Sequence, residues 1–253
     1  MKLNAYQLKW IAIIAMVLNH IVIAWWAIIP IGVAFPMYAI GGLTFPIMGF
    51  FVVEGYKHTS SLKRYVLRIL IVGLIALPFH FLTLGLALAP TLNIMFTIAL
   101  SLGVLAMYDK IKRRLVFWII FIFLIIPASL IFEWSFPGVV MVLLFYIIKN
   151  EKARRILPPI VAVFLGGVTS MVYLIPGVEM PEMRGLMADP MFMTVSATFI
   201  IGILLASVLL TRFNGERGKK MKWLFYTFYP LHLAVLAIVA LILGLVDFSM
   251  FGV

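Results

Sequence analysis

Long apolar runs separated by short polar segments make up almost the whole chain. The runs are continuous rather than alternating, and most approach the roughly 20 residues that a helix needs to cross the hydrocarbon of a bilayer. Because lipid offers the backbone no hydrogen bonds, such runs satisfy their peptide groups as helices. We therefore predict an all-α, polytopic transmembrane helical bundle of about nine spans. The predicted spans lie near residues 8–29, 36–56, 65–83, 91–108, 115–132, 136–148, 156–175, 190–211 and 223–245.

The basic residues predict the orientation of these spans. All but one of the 20 Lys and Arg residues precede the first span or lie in clusters at the far ends of the second, fourth, sixth and eighth spans. The exception is Arg184, in the predicted loop near residues 176–189. Since Lys and Arg collect in cytoplasmic loops, we place the N-terminus in the cytoplasm and the C-terminus outside. Merging two neighbouring spans would put basic clusters on opposite faces.

Composition agrees with a membrane protein. The chain of 253 residues is 65% hydrophobic and 11% charged, with a mean hydropathy of +1.18, so its net charge of +11 does not indicate nucleic-acid binding. It has no cysteine, which excludes disulfides and thiolate chemistry. The loops are too short for a soluble core and no internal repeat is visible. We expect one transmembrane domain over residues 1–253 in the cell membrane, with its first span as a signal anchor.

Few ionisable side chains lie inside the predicted spans. Each costs about 2.5–3.5 kcal/mol there, so each is expected to be paired, hydrated or functional. A rise of roughly 1.5 Å per residue from the flanking charges places His20 and His232 near the middle of the bilayer, with Asn93 and Thr97 near that level. We therefore expect polar groups of the first, fourth and ninth spans to meet.

His20 is the first candidate for chemistry, because an imidazole accepts and returns a proton near neutral pH. The alternative for each membrane histidine is a hydrogen bond between helices that serves packing alone, and we expect that role for His80. Glu54 and His58 share a helical face, which predicts a structural ion pair of Glu54 with His58, Arg64 or Arg68.

A cationic patch is predicted on the cytoplasmic side, between the second and third spans. Its members are Lys57, Lys63, Arg64 and Arg68. Such a patch can receive phosphates, or it can attract anionic lipid. No metal-ligand spacing, phosphate loop or nucleophilic serine motif rises above chance.

Four segments resemble the TraX family of integral membrane proteins. They are LKWIAIIAMVLNH (8–20), FPIMGFFVVEGYKHTSSLKRYVLR (45–68), NIMFTIALSLG (93–103) and FYTFYPLHL (225–233). The Glu-Gly-Tyr run leading to Lys-Arg-Tyr, and Tyr-Pro-Leu-His-Leu near the end, are the distinctive motifs. With the intervening spans, the resemblance covers nearly the whole chain.

The resemblance implies an activity. The namesake of the family is associated with N-terminal acetylation of a conjugative pilin, and the family resembles transmembrane acyltransferases that use cytoplasmic acetyl-CoA to modify an acceptor on the far side. An acetyl-CoA-dependent membrane acyltransferase is therefore expected, with membrane lipids as partners and without metal or nucleic acid. The acceptor is left open among peptide, glycan, lipid and small molecule, and so is the oligomeric state.

The same resemblance assigns expected roles to site residues. His20 would be the general base, with Asn19, Asn93 and Thr97 as the other members of the catalytic set. The expected donor-binding residues are Glu54, Lys57, Arg64 and Arg68. Tyr229 and His232 are expected to bind substrate, and Tyr229, Asn93 or Thr97 would stabilise the developing oxyanion.

Two positions depart from the family pattern. Members usually read Asp-His where this chain has Asn19 and His20, and an Arg commonly stands where it has Gly42. A neutral amide can orient a histidine, but it does not favour the imidazolium as a carboxylate does. Loss of both charges fits a matched change that keeps the fold while altering or abolishing acyl transfer. The alternatives are a transporter or lipid-handling protein with a polar cavity, and a scaffold for partner proteins in a secretion or conjugation apparatus.

Overall fold

A computed structural model describes residues 2–25, 28–85, 91–172, 190–220 and 222–245, and the predicted loop near residues 176–189 lies outside them. In the described ranges the chain forms eleven α-helices. They are α1 (Ala5–Ala24), α2 (Ile31–Gly41), α3 (Thr44–His58), α4 (Leu62–His80), α5 (Ile94–Lys110), α6 (Arg114–Ile120), α7 (Ile126–Ser129), α8 (Ser135–Ile147), α9 (Glu151–Val172), α10 (Pro190–Thr211) and α11 (Lys222–Ile242). π-Helical turns follow α4 (Phe81–Gly85) and α6 (Phe121–Ile125).

The predicted all-α membrane fold is confirmed. Each predicted span coincides with one helix or with two consecutive helices in the described part of the chain. Five stretches are long and apolar enough to cross a membrane, namely Ala5–Ala24, Ile31–His58, Leu62–Leu84, Met193–Thr211 and Leu224–Ile242. Two shorter apolar stretches are Arg114–Ser129 and Ser135–Ile147. The count of nine crossings and their direction stay predictions.

The second and fifth predicted spans are not continuous α-helices. The second is divided into α2 and α3 at Gly42 and Leu43. In the fifth, the π-helical turn lies directly before α7, which has Pro127 in its first turn. Proline has no N–H to donate to the preceding turn, so the ladder of hydrogen bonds is displaced there.

Helix α3 forms the centre of the bundle. Its buried side chains lie on all of its faces, as expected of a helix enclosed by neighbours, and it packs against α1, α5, α8 and α10. The outer helices keep large apolar side chains exposed, including Leu115 at 74%, Phe123 at 76% and Phe164 at 70%. Such side chains belong against lipid rather than water.

Backbone pairings join helix ends on each side of the bundle. We call the end that carries residues 57–64, 110–114, 149–155 and 212–220 the basic end. There, Leu3 forms a parallel bridge with Phe213, directly before α1 and after α10. At the opposite end, Leu92 forms a parallel bridge with Phe132. Each bridge joins two segments that the predicted order of spans places on the same side of the membrane.

Two glycines allow α2 and α10 to cross at close range. A Cβ atom added at Gly42 would lie 2.2 Å from the carbonyl oxygen of Phe199, and one added at Gly202 would lie 1.8 Å from the carbonyl oxygen of Ala39. Small residues at such crossings let membrane helices approach until their backbones touch. Neither position has room for a side chain.

We predict that Gly202→Ala destabilises the bundle, because backbone atoms cannot yield as a flexible side chain can. The expected loss is on the order of 1–3 kcal/mol, the usual cost of overpacking. Thermal unfolding in detergent, followed by circular dichroism, measures it. The matched control is Gly103→Ala in α5, where an added Cβ meets nothing within 4 Å. Equal melting temperatures for the two variants would contradict the proposed close crossing.

Candidate functional site

His20 and His232 meet inside the bundle. His20 belongs to α1 and His232 to α11, and their exposed fractions are only 3% and 7%. Nδ1 of His20 lies 2.7 Å from Nε2 of His232, and the two rings are nearly parallel at 12°. The structure thus brings together two polar residues that the depth count from the sequence places at one level.

The hydrogen bonds of this pair have a defined direction when both rings are neutral. Nδ1 of His232 lies 3.0 Å from the carbonyl oxygen of Phe228, which can only accept, so this nitrogen carries the hydrogen. Nε2 of His232 is then an acceptor, and Nδ1–H of His20 donates to it. Consequently the free lone pair of His20 is on Nε2. The backbone carbonyl of Phe228 thus determines the tautomer of His20, which lies on another helix.

His20 lines a cavity of about 50 Å³ between α1, α3, α5 and α10. Its polar lining comes from Asn19, His20, Thr44 and Glu133, and the remainder is apolar or aromatic. A space of this size holds a few water molecules at most. The cavity is therefore too small to admit bulk water beside His20.

Glu133, which the threading puts in an outer loop, lines the same cavity. Its Oε2 accepts the N–H of Ile94 at 2.9 Å, at the start of α5. Its backbone oxygen accepts the hydroxyl of Thr97. Oε1 has no hydrogen-bond partner among the described residues. These contacts hold the carboxylate over α5 with one oxygen uncommitted.

The residue after Glu133 has an unusual backbone. Trp134 adopts φ 65° and ψ −2°, and Ser135 follows with φ 40°. A residue other than glycine in this left-handed region costs roughly 1–3 kcal/mol and persists only where the surroundings enforce it. The Trp134 ring packs against Phe45 and Phe199, with centroids 4.6 and 5.8 Å apart. This packing holds the strained turn beside the cavity.

Asn93 and Thr97, expected as catalytic donors, have structural partners. Nδ2 of Asn93 donates to the Gly73 carbonyl at 2.9 Å, and its Oδ1 accepts the N–H of Met95 at 3.1 Å, which caps α5. The hydroxyl hydrogen of Thr97 is used by the carbonyl of Glu133. Neither residue is part of the cavity lining.

Tyr229, expected to bind substrate, lies next to the histidine pair. Its ring packs edge-on against His232, with centroids 5.5 Å apart. Its hydroxyl is buried and has no hydrogen-bond partner in the part of the chain that the structure describes. Like Asn93 and Thr97, Tyr229 is not part of the cavity lining, but of the three expected oxyanion donors it is the one whose hydrogen is available.

Glu54 forms the predicted structural ion pair, but with a different partner. Its carboxylate meets Arg154 of α9 and lies 3.7 Å from Nζ of Lys57. His58 contacts the backbone oxygen of Glu54, at 2.8 Å, rather than the carboxylate. Arg154 is only 4% exposed and also donates to the carbonyl of Phe145 at 2.6 Å. The pair fastens α9 to α3.

The expected donor-binding cations are separated in space. Lys57 lines an open pocket of about 410 Å³ at the basic end, where Asp109 accepts the hydroxyls of Tyr56 and Tyr146, each at 2.7 Å. Arg64 is exposed in the first turn of α4. Arg68 alone of this group turns toward the interior.

Arg68 of α4 and Lys9 of α1 extend toward aromatic rings of α3 and α11. The guanidinium of Arg68 lies 5.8 Å from the ring centroid of Tyr226, and Nζ of Lys9 lies 5.0 and 5.5 Å from those of Phe51 and Phe225. Within the described ranges neither cation has an ion pair, and Nε of Arg68 is buried without a partner. Uncompensated cations at this depth favour an anionic ligand.

The comparisons with known proteins identify the family of this chain. A family model described as "TraX protein" matches residues 4–240. The chain belongs to the TraX family. It is also 29% identical over 245 residues to a Dichelobacter nodosus protein described as "Probable fimbrial assembly protein FimC, serogroup H1", covering 88% of this chain and 90% of the relative. No solved structure gives a significant match.

The two departures from the TraX pattern have a structural setting. Gly42 lies at the crossing of α2 and α10, where no arginine side chain fits. Asn19 lies against Gly41, where an added Cβ would be 2.9 Å from Oδ1, and this oxygen is buried without a donor in the described part of the chain. A carboxylate at position 19 would be a buried charge, which is costly unless a cation pairs with it. The neutral amide suits a site from which the arginine is missing.

Three residues of this TraX family site were missed from the sequence. From the sequence, Glu133 is an acid in an outer loop, and Arg154 and Lys9 are positive charges that flank the predicted spans. Only Glu133 carries a local signal, since it is an isolated acid beside a tryptophan between two apolar runs. Arg154 meets Glu54 across 100 positions of the chain, which spacing rules cannot detect.

We predict that the stability of this TraX family protein falls as pH rises from about 4.5 to about 7. Burial raises the pKa of Glu133 to about 7 from an ordinary value of 4.5, although the N–H of Ile94 acts in the opposite direction. The protonated carboxyl suits the folded state, so folding loses free energy once the native group must ionise. Because Glu133 is only partly buried, we expect a loss of about 1–3 kcal/mol.

Thermal unfolding at pH 5 and pH 8 tests this dependence. Gln at position 133 can still accept the N–H of Ile94 but does not titrate. Glu133→Gln should therefore match the parent at pH 5 and exceed it at pH 8. An identical pH profile for parent and variant would show that another group is responsible.

Proposed function

We propose that this protein is a membrane acyltransferase that moves an acetyl group from cytoplasmic acetyl-CoA to an acceptor on the other side of the membrane. The observation that carries the proposal is the ordered chain from the Phe228 carbonyl through His232 to His20, which leaves a lone pair on a histidine that lines a cavity. A histidine pair that served packing alone would not need a cavity beside it.

The transfer requires a base that also returns its proton. Nε2 of His20 takes the proton from the N–H or O–H of the acceptor while that nitrogen or oxygen bonds to the thioester carbon. The C–S bond then breaks, and the imidazolium gives the proton to the CoA thiolate, which regenerates His20. His232 accepts the Nδ1–H of His20 throughout and stabilises the positive ring. The unpartnered hydroxyl of Tyr229 is the donor that we assign to the oxyanion.

Lys9 and Arg68 are suited to hold the donor's phosphates. Both cations lie against α11, at Phe225 and Tyr226, and His232 follows seven positions after Phe225. At 1.5 Å per residue, the cations are about 10 Å below the imidazole along the helix. A phosphate-bearing thioester entering from the basic end would thus have its anionic part at the cations and its acyl end toward His20.

The cavity beside His20 is too small for an acyl chain together with an acceptor. At about 50 Å³ it is far below the roughly 300–1,000 Å³ of ordinary ligand pockets. We assign the structure to a closed state. In the proposed cycle, binding energy from the phosphates separates the helices and admits the thioester.

Titration of acetyl-CoA into the purified, folded protein tests the proposal. The ligand should raise the melting temperature, because it binds the native state alone. Arg68→Gln and Lys9→Gln should each weaken binding about tenfold, as expected when one charge-assisted contact is lost. His20→Gln should still bind acetyl-CoA but should not accelerate acetyl transfer to hydroxylamine, a small acceptor suited to the cavity, above the rate without protein.

The matched control is Arg113→Gln, which removes an exposed cation from the same end of the bundle. It should bind acetyl-CoA as the parent does. Absence of any thermal response to acetyl-CoA in the folded parent would overturn the proposal. An equal loss for Arg113→Gln and Arg68→Gln would assign the effect to the net charge of the surface instead of to the position of Arg68.

A further inference from the structure

The cavity beside His20 contains two acceptors without donors. Oδ1 of Asn19 is buried with no hydrogen bond, and Oε1 of Glu133 has no partner among the described residues. Both residues line the same space as His20. The buried Oδ1 of Asn19 is costly to leave unsatisfied, and Oε1 of Glu133 adds a second open acceptor, so the site favours a ligand that carries donor hydrogens.

Capping of α5 does not account for the placement of Glu133. Only Oε2 takes part in that contact, and α5 already has a cap in Asn93, whose Oδ1 accepts the N–H of Met95. The backbone also bears the cost of the left-handed Trp134 directly after Glu133. Strain of this kind is concentrated at sites where it positions a functional group.

We infer that Glu133 is a positioning residue for the acceptor in the proposed acyl transfer. Its Oε1 or the Oδ1 of Asn19 receives one hydrogen of an acceptor group that carries two, such as a neutral NH₂, and holds that group beside His20. The second hydrogen then remains for Nε2 of His20, and the nitrogen lone pair is directed to the thioester carbon. This inference rests on the proposed function and adds the residue that orients its second substrate.

The variant Glu133→Gln tests the role sharply. At pH 8, above the pKa of about 7 for the Glu133 carboxyl, the parent presents an acceptor oxygen to the cavity. A glutamine must use its single oxygen for the N–H of Ile94, so it presents an NH₂ donor there instead. The substitution thus keeps the fold and replaces a hydrogen-bond acceptor by a donor. At pH 8, with acetyl-CoA as donor and hydroxylamine as acyl acceptor, KM for hydroxylamine should rise about 10- to 100-fold. kcat should change by less than about threefold, and acetyl-CoA affinity should be unchanged, because donor contacts are not altered.

Two controls separate positioning from general damage. Glu216→Gln makes the same chemical change on the exposed connection at the basic end, where the carboxylate meets Asn214, and should leave KM unaltered. The melting temperature of Glu133→Gln at pH 5 should equal that of the parent. If both controls give these results, a change in KM for Glu133→Gln is caused by the altered group in the cavity.

The outcomes distinguish this inference from the proposed function. An unchanged KM for Glu133→Gln, or a loss confined to kcat, overturns the positioning role while leaving the acyltransferase proposal intact. A parent protein that binds acetyl-CoA but acetylates no hydroxylamine also overturns it. A folded parent that does not bind acetyl-CoA overturns the proposed function, and this assignment with it.

Discussion

Hydrogen bonding in a medium without water is the constraint on which the site depends. An imidazole in lipid is tolerated only if its N–H finds an acceptor, and here the nearest one is another imidazole. That second ring is fixed in turn by a helix carbonyl, the oxygen of Phe228, one turn before His232. The need to satisfy one donor thus determines which nitrogen of His20 is left free. The hydrogen bond that satisfies His20 inside the bundle therefore also leaves its Nε2 able to accept a proton.

The sequence predicts the membrane helices and the levels of their polar residues, but not the pairs that these residues form. Hydropathy and charge placement are properties of single segments, so the apolar helices and the levels of His20 and His232 follow from counting residues. Contacts between residues that are far apart in the sequence do not follow from such counting. The partner of Glu54 is Arg154 rather than a neighbour on α4, because helix order around α3 decides which charges meet. Glu133 enters the site through a strained turn that no propensity rule favours.

The role of Asn93 shows why a residue's level in the membrane does not reveal its function. The expected depth is consistent with a catalytic amide, yet both ends of its side chain are used to start α5 and to join it to α4. Tyr229 lies beside the histidines and keeps its hydroxyl uncommitted. The chemistry of a polar group inside lipid therefore depends on which of its hydrogens the backbone already uses. That information exists only in three dimensions.

The bridge between Leu3 and Phe213 has a mechanical consequence. It anchors the start of α1 to the segment after α10, and α1 also begins in a capping box of Asn4 and Gln7. A helix held at its first residues is restrained from sliding along its own axis, so His20 keeps its height relative to α10. Widening of the cavity is then a tilt of α1 or a displacement of α3, α5 or α10, the other helices that line it. The depth of the imidazole in the membrane is thus set by a backbone contact at the basic end.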